Sequence, residues 1–100
     1  LGAVFEQKGR MSDALGANQK AVALAPKNAA AHSILGNTLR KLDRLEEAET
    51  SFRQAIALKP AFAEAYSNLG ITLQDLGRLE EAEASYRQAI ALKSDFAGRR

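Results

Sequence analysis

Apolar residues recur along the middle of the chain with the spacing of an amphipathic helix. Ala31, Leu35, Leu39 and Leu42 follow one another at intervals of three or four residues. This spacing places them on one face of a helix with about 3.6 residues per turn. The polar residue Asp43 then interrupts the pattern. The spacing therefore predicts a helix that buries one face and ends next to Asp43.

A second apolar series starts directly after this break and ends at a proline, which cannot continue the preceding helix. Its members are Leu45, Ala48, Phe52, Ala55, Ile56 and Leu58, and Pro60 follows them. The same criteria predict helices over residues 1–8, 11–24, 30–42, 45–58, 64–76 and 79–92, with a seventh beginning in residues 95–100. Because the loops between them are short, neighbouring helices are expected to be antiparallel.

The two-helix pattern returns every 34 residues. Residues 35–62 and 69–96 are identical at 20 of 28 positions, and a more divergent copy begins at Leu1. A fixed period of this length is typical of stacked supersecondary units. The period divides the chain into a truncated first repeat at 1–28, full repeats at 29–62 and 63–96, and the start of a following helix or tail at 97–100.

The residues at the predicted turns and helix starts fit this division. Gly9, Asp43 and Gly77 stand at the three turns, where a helix commonly ends on a residue in the left-handed conformation. Glycine adopts that conformation without strain, and aspartate tolerates it better than most residues. Asn28 and Asp95 stand where each could cap the helix that follows.

Composition excludes several classes of partner. With 14 basic and 12 acidic residues the net charge is +2, and no basic stripe of the kind that nucleic acid requires is present. No run of 18 apolar residues is present, so we predict no membrane span. The absence of cysteine excludes disulfides and thiolate zinc sites within this sequence. Because the chain begins at Leu1 inside a repeat, we expect it to be a piece of a longer array.

No catalytic constellation is visible in the sequence. His32 is the only histidine, and neither metal-binding carboxylates nor a nucleophile lie near it in sequence. We expect His32 to pack between helices. The adjacent glutamates Glu46 and Glu47 begin a helix, where negative charge complements the macrodipole. The sequence therefore predicts no enzymatic activity, no cofactor and no metal.

One spacing carries a specific resemblance to a known family. The series is His32, Leu35, Gly36, Leu39, Ala48, Phe52, Ala55 and Pro60, and it returns as Tyr66, Leu69, Gly70, Leu73, Ala82, Tyr86, Ala89 and Ser94. It resembles the tetratricopeptide repeat. Two departures are Ser94 in place of the usual proline and Asn18 where the family usually has an aromatic residue. The resemblance implies an all-α solenoid, in which antiparallel helix pairs form a right-handed superhelix.

The resemblance also implies a concave groove, lined by the first helix of each pair, that binds a peptide or a segment of another protein. Candidate groove residues are Ser33, Asn37, Arg40, Lys41, Glu64, Ser67, Asn68, Ile71, Gln74 and Asp75. Asn37 and Asn68 are the most informative, because a carboxamide offers both a donor and an acceptor to a peptide backbone. The basic pair Arg40 and Lys41 faces acidic residues one repeat later, which could orient a charged ligand.

Two narrower relationships within the family are weakly matched. One subclass grips a C-terminal carboxylate with lysine and asparagine side chains, but Ser33 and Gly98 stand where that pattern has lysine. Asn68 resembles one rung of the asparagine ladder in repeats attached to protein glycosyltransferases, and Ile34 breaks the ladder. A regulatory arm of a larger enzyme such as a glycosyltransferase therefore stays an alternative.

The ends of the array suggest a second function. A terminal repeat has no neighbour on one side and usually carries a polar capping helix, and no such helix is visible in this sequence. The apolar residues expected to be exposed there are Leu1, Val4 and Phe5 at one end and Tyr86, Ile90 and Phe96 at the other. Exposed apolar patches favour association. The alternative function is therefore assembly of a homo-oligomer through the terminal repeats.

Overall fold

Five α-helices make up the part of the chain that the structure describes. It is a computed structural model that describes the backbone of residues 2–98 and the side chains of residues 9–94. The helices are α1 (Gly2–Leu24), α2 (Ala29–Lys41), α3 (Leu45–Leu58), α4 (Ala63–Asp75) and α5 (Leu79–Gly98). Within residues 2–98 there is no strand, and no helix combines the length and apolarity needed to cross a membrane.

The helices form a solenoid of stacked pairs, as the sequence predicts. α2 packs mainly on α3 and α4 packs mainly on α5, so each full repeat is a helical hairpin. α3 packs on α4 to join the two hairpins, and α1 packs on α2. α2 and α4, the first helices of consecutive hairpins, also touch each other directly. The fold class is all-α, and the molecule is elongated, with principal extents of 47 × 32 × 23 Å.

Two of the three predicted turns are confirmed, and both have the same hydrogen bonds. Asp43 has a φ of 62° and Gly77 a φ of 80°. After α2, the Arg44 amide donates to the Leu39 carbonyl and the Asp43 amide to that of Arg40, each at 2.9 Å. The turn after α4 makes the equivalent two bonds. This pairing is the Schellman motif, which satisfies the last carbonyl groups of a helix.

The predicted breaks near the two ends of the chain are wrong. α1 continues through Gly9 without a turn, although a break was expected there between residues 1–8 and 11–24. α5 likewise continues through Ser94 to Gly98, so residues 95–98 do not begin a separate helix and Asp95 is not an N-cap. A Cβ at Gly9 would have no heavy atom within 4 Å. Glycine permits a turn but does not by itself require one.

The two helices of each full hairpin approach each other closely at a glycine, Gly36 in one hairpin and Gly70 in the other. A Cβ on Gly36 would lie 2.8 Å from the ring of Phe52, and one on Gly70 would lie 2.8 Å from the ring of Tyr86. Phe52 is completely buried in the core cluster that Leu39, Leu69 and others complete. Each hairpin is therefore held by an aromatic ring against a glycine backbone.

In the first repeat, a polar residue, Asn18, occupies the position that the other two repeats fill with this aromatic ring. Asn18, one period before Phe52, donates its side-chain amide to the hydroxyl of Thr38 at 2.6 Å. Thr38 is buried on α2, so the bond joins α1 to α2. The departure from the family pattern at Asn18 thus replaces ring packing with a hydrogen bond between repeats.

The start of α2 confirms two structural expectations. The Asn28 side chain accepts a hydrogen bond from the Ala31 amide at 3.2 Å, so Asn28 is the N-cap. His32 is buried, and its Nε2 lies 2.8 Å from the Pro26 carbonyl oxygen, which fixes Nε2 as the protonated nitrogen. His32 therefore ties the loop before α2 to the helix.

Candidate functional site: the α2–α4 surface and the α5 face

The candidate groove residues on α2 differ in accessibility. Asn37 and Arg40 are half-buried and Lys41 is exposed. Ser33 is only 5% exposed, so its hydroxyl is withdrawn from the surface. Ile34, its neighbour, is 55% exposed and presents an apolar side chain to solvent. The accessible polar groups of α2 are therefore those of its second half.

The α4 candidates include three half-buried and three exposed residues. Ser67, Asn68 and Ile71 are half-buried, whereas Glu64, Gln74 and Asp75 are exposed. The side-chain oxygen of Gln74 already accepts a hydrogen bond from the Tyr86 hydroxyl at 3.0 Å. α2 and α4 touch each other, and we call the accessible parts of these two helices the α2–α4 surface.

Arg40 contains an unsatisfied donor at this surface. Its Nε is buried and has no hydrogen-bond partner among the described residues. A buried donor without a partner costs free energy of about 1–3 kcal/mol. A ligand oxygen, from a peptide carbonyl or a carboxylate, would remove that penalty if the Arg40 side chain turned toward it.

The charges on the α2–α4 surface are arranged by repeat. Arg40 and Lys41 end α2, whereas α4 begins near Glu64 and ends at Asp75. Over residues 9–94 no group of three histidine or carboxylate side chains could hold a metal ion. The chemistry that this surface offers is hydrogen bonding by carboxamides and hydroxyls, with separated positive and negative charges.

A separate ion-pair network joins the two full repeats. Arg78, in the turn before α5, bonds Glu49 of α3 at 2.6 Å and Glu81 of α5 at 2.8 Å. Arg53 bonds Glu49 at 2.9 Å and lies 3.7 Å from Glu81. Glu49 is therefore shared by two arginines, one from its own helix and one from the next repeat.

These contacts shift the acidity of both carboxyl groups. Burial raises the pKa of Glu49, but hydrogen bonds from Arg78 and Arg53 outweigh it, and the net pKa lies below the usual value. The hydrogen bond from Arg78 likewise holds the pKa of Glu81 low. Hydrogen bonds to Glu81 and Glu49 raise the pKa of Arg78. The ion-pair network therefore links the two full repeats.

The last helix presents an exposed apolar face. Ile90, predicted for self-association, is 63% exposed, and Leu79 on the same helix is equally exposed. Tyr86 is half-buried against Gly70. The side chains of Phe96, Leu1, Val4 and Phe5, also predicted for self-association, lie outside the described residues. The sequence analysis did not single out Leu79. Leu79 and its repeat equivalent Leu45 stand in the same sequence pattern, but Leu45 is half-buried and Leu79 is exposed.

Two models of one repeat family match the sequence. The family model described as "TPR repeat" matches residues 36–77, and the one described as "Tetratricopeptide repeat" matches residues 63–96. The chain belongs to the tetratricopeptide-repeat family, whose members are generally non-catalytic protein-binding modules. A search among curated proteins found no significant match.

Solved structures of this family superimpose closely on the chain. A crystal structure of MamA matches with a TM-score of 0.85 and 26% identity, over 98% of this chain and 57% of that one. Another MamA structure is 31% identical, with a TM-score of 0.81, over 96% of this chain and 52% of that one. The chain thus spans little more than half the length of these MamA chains.

A third similar structure contains a ligand. It is the second TPR of Spaghetti (RPAP3) bound to the HSP90 peptide SRMEEVD, with a TM-score of 0.80 and 26% identity. The match covers 91% of this chain and 84% of that one. Family and fold are therefore those of a protein-interaction scaffold.

Proposed function

We propose that the chain binds an extended segment of another protein along the α2–α4 surface. The observation that carries this proposal is the buried Nε of Arg40, which has no hydrogen-bond partner among the described residues and belongs to the residue three positions after the half-buried Asn37 on α2. These groups are partly desolvated already, so a hydrogen bond from a ligand costs them little further desolvation. The similar Spaghetti domain with its bound peptide supports a peptide as the ligand class.

Asn37 and Asn68 are the proposed contacts to the ligand backbone. Each carboxamide can accept from one peptide N–H and donate to one peptide carbonyl, which holds an extended strand independently of its sequence. Sequence preference would then come from side-chain contacts. Ile71 offers an apolar contact, and Arg40 with Lys41 offers positive charge for an acidic residue.

The test is peptide selection followed by quantitative binding. Peptides chosen from a displayed random library on the wild-type chain are measured by fluorescence anisotropy against Asn37→Ala/Asn68→Ala. Loss of hydrogen bonds worth about 1 kcal/mol each predicts about tenfold or greater weakening for the double variant. The matched control is Gln54→Ala/Gln88→Ala, which removes two exposed carboxamides from α3 and α5.

The control separates a specific site from a general loss of polar surface. Gln54→Ala/Gln88→Ala should bind with wild-type affinity, and both double variants should keep the wild-type circular dichroism. Equal affinity of the wild type and the asparagine variant would refute the proposed contacts. Failure of the wild type to select any peptide would refute peptide binding on this surface.

A second candidate function, self-association through the terminal repeats, has one specific observation in its favour. Ile90 is 63% exposed, whereas Ile56, one period earlier, packs against the core cluster. The chain thus leaves uncovered a position that it covers in its own preceding repeat. Light scattering after size exclusion, at two concentrations about tenfold apart, tests whether copies associate.

A further inference from the structure

The two full repeats differ in charge at one end of the α2–α4 surface. Their aligned parts are identical at 20 of 28 positions, yet they differ at both residues that stand at the end of the first helix. Arg40 and Lys41 end α2, whereas Gln74 and Asp75 end α4. A basic pair on one helix is thus matched by an amide and a carboxylate on the neighbouring helix that it touches.

The opposite charges at this end do not neutralise each other. Lys41 and Asp75 hold equivalent positions in consecutive repeats, so they stand at the same end of the α2–α4 surface. Both side chains are exposed, and neither makes an ion pair among the described residues. The surface therefore ends in a positive charge on α2 and a negative charge on α4, and both are accessible to a ligand.

The residue next to each of these charges has a hydrogen-bond partner on α4 but lacks one on α2. The side-chain oxygen of Gln74 accepts from the Tyr86 hydroxyl at 3.0 Å. One period earlier the aromatic residue is Phe52, which has no hydroxyl, and the buried Nε of Arg40 has no partner among the described residues. A ligand carboxylate would supply the missing acceptor, and its bond to a guanidinium is charge-assisted.

We propose that the α2–α4 surface selects a protein segment with an acidic residue over the end of α2 and a basic residue, about three positions away, over the end of α4. The inference rests on the proposed function and adds the charge pattern of the ligand to it. Arg40 and Lys41 bind the ligand carboxylate, and Asp75 binds the ligand cation. A segment with two acidic or two basic residues at these places meets a like charge on one helix, which opposes its binding.

The distance between the two helices sets the spacing of the two ligand charges. The axes of helices that pack directly on each other lie about 8–10 Å apart. An extended chain advances about 3.1–3.4 Å per residue, so three residues span about 9–10 Å. In the polyproline II conformation, side chains three residues apart also lie on the same side of the chain, because one turn contains three residues. A segment that crosses from α2 to α4 therefore presents residues i and i+3 to the two helix ends.

Peptide selection followed by a double-mutant cycle tests the charge pattern. Peptides selected from a displayed random library on the wild-type chain should be enriched in an acidic and a basic residue three positions apart. One such peptide is then synthesised in three forms: unchanged, with its acidic residue replaced by the corresponding amide, and with its basic residue replaced by norleucine. Fluorescence anisotropy measures the affinity of each form for the wild type, Arg40→Gln, Lys41→Gln and Asp75→Asn.

The coupling between peptide and protein changes identifies which charges meet. Each protein variant should bind the unchanged peptide about three- to tenfold more weakly than the wild type does. The amide peptide should lose no further affinity on Arg40→Gln or Lys41→Gln but should still be weakened by Asp75→Asn. The norleucine peptide should show the reverse, because its partner is Asp75. Non-additive effects of this kind arise only between groups that interact.

Two variants on α1 provide the matched control. Lys20→Gln and Asp13→Asn remove the same two kinds of charge from exposed positions outside the α2–α4 surface. Both should bind all three peptides with wild-type affinity, and circular dichroism shows whether each variant is folded. Equal weakening by Lys20→Gln and Lys41→Gln would refute a local charge contact, because it would reduce the effect to net charge.

The possible outcomes separate the charge pattern from peptide binding itself. Selected peptides without the paired charges, or additive effects throughout the cycle, refute the charge pattern. The proposed function survives that result if the same peptides lose affinity for Asn37→Ala/Asn68→Ala. A wild type that selects no peptide refutes both proposals. Enrichment of the paired charges, together with coupling of the acid to Arg40 and Lys41 and of the base to Asp75, supports the inference.

Discussion

Gly36 on α2 lies so close to Phe52 on α3 that a Cβ on the glycine would be 2.8 Å from the aromatic ring. Real Cβ atoms do not approach that closely, so the pair sets the distance between the two helices of the hairpin. Gly70 and Tyr86 repeat the arrangement one period later. The hairpin geometry thus depends on the absence of one methyl group.

Replacing Gly36 with alanine is expected to destabilise the protein. The added methyl must displace the fully buried Phe52 ring, and overpacking of this kind costs about 1–3 kcal/mol. Urea denaturation followed by circular dichroism measures the change. The matched control is Gly16→Ala, where nothing lies within 4 Å of the new Cβ and the variant should gain about 0.5–1 kcal/mol. Equal effects at the two glycines would contradict the packing argument.

The turn glycine Gly77 is expected to respond through backbone strain instead of packing. Its φ is 80° and a Cβ would meet no atom within 4 Å, so Gly77→Ala should lose about 1–2 kcal/mol from the left-handed conformation alone. Asp43, in the equivalent turn with φ of 62°, provides the reverse experiment. Asp43→Gly should raise the urea midpoint slightly or leave it unchanged, and a clear fall would show that the aspartate side chain stabilises the turn.

Acid should weaken the ion-pair network that links the two full repeats through Glu49. Because the folded-state pKa of Glu49 lies below its unfolded value, the carboxylate contributes stability above an unfolded pKa of about 4.3. This contribution is lost as the pH falls through the folded pKa, and Glu81 acts in the same direction. Thermal unfolding between about pH 7 and 3 should therefore show a shallower fall in Tm for Glu49→Gln than for the wild type.

A control on the same helix makes the acid test specific. Glu46 lies outside the ion-pair network among the described residues, so Glu46→Gln should keep the wild-type dependence of Tm on pH. High salt should reduce the difference between Glu49→Gln and wild type, because the arginines that bond Glu49 are partly exposed. Identical pH profiles for Glu49→Gln and the wild type would show that the network does not link folding to pH.

The two equivalent isoleucines Ile56 and Ile90 should differ strongly in their contribution to stability. Ile56 packs against the core cluster, so Ile56→Ala should cost about 2–4 kcal/mol. Ile90 is 63% exposed, so Ile90→Ala should change the free energy of unfolding by less than about 0.5 kcal/mol in dilute solution. A large loss for Ile90→Ala that grows with protein concentration would show that association buries this residue.

The sequence by itself determined the repeating architecture. The spacing of Leu35, Leu39 and Leu69 defines helical faces, and the 34-residue period defines how often a hairpin returns. The turns at Asp43 and Gly77 were also predictable, since few residues tolerate the left-handed conformation that both adopt. These features are local, or follow from periodicity, and neither needs knowledge of which surfaces meet.

Only the tertiary structure decided that α1 and α5, the first and last of the described helices, continue past the breaks that the sequence predicts. Gly9 has the residue type and register of a turn, yet α1 continues through it. A turn reverses the chain when the next helix gains packing by folding back, as α3 does when Phe52 packs on Gly36. In the first repeat the position equivalent to Phe52 is Asn18, which bonds Thr38 of α2, so no aromatic ring packs back across Gly9 and the backbone hydrogen bonds of the helix continue.

Exposure was the other property that only the fold could decide. Glu49 and Glu83 occupy equivalent sites in nearly identical segments, and so do Leu45 and Leu79. Glu49 is bonded by Arg78 of the following repeat and Leu45 is half-buried, whereas Glu83 and Leu79 are exposed on α5. Local sequence specifies the face of a helix, but the next element in space determines whether that face meets protein or water.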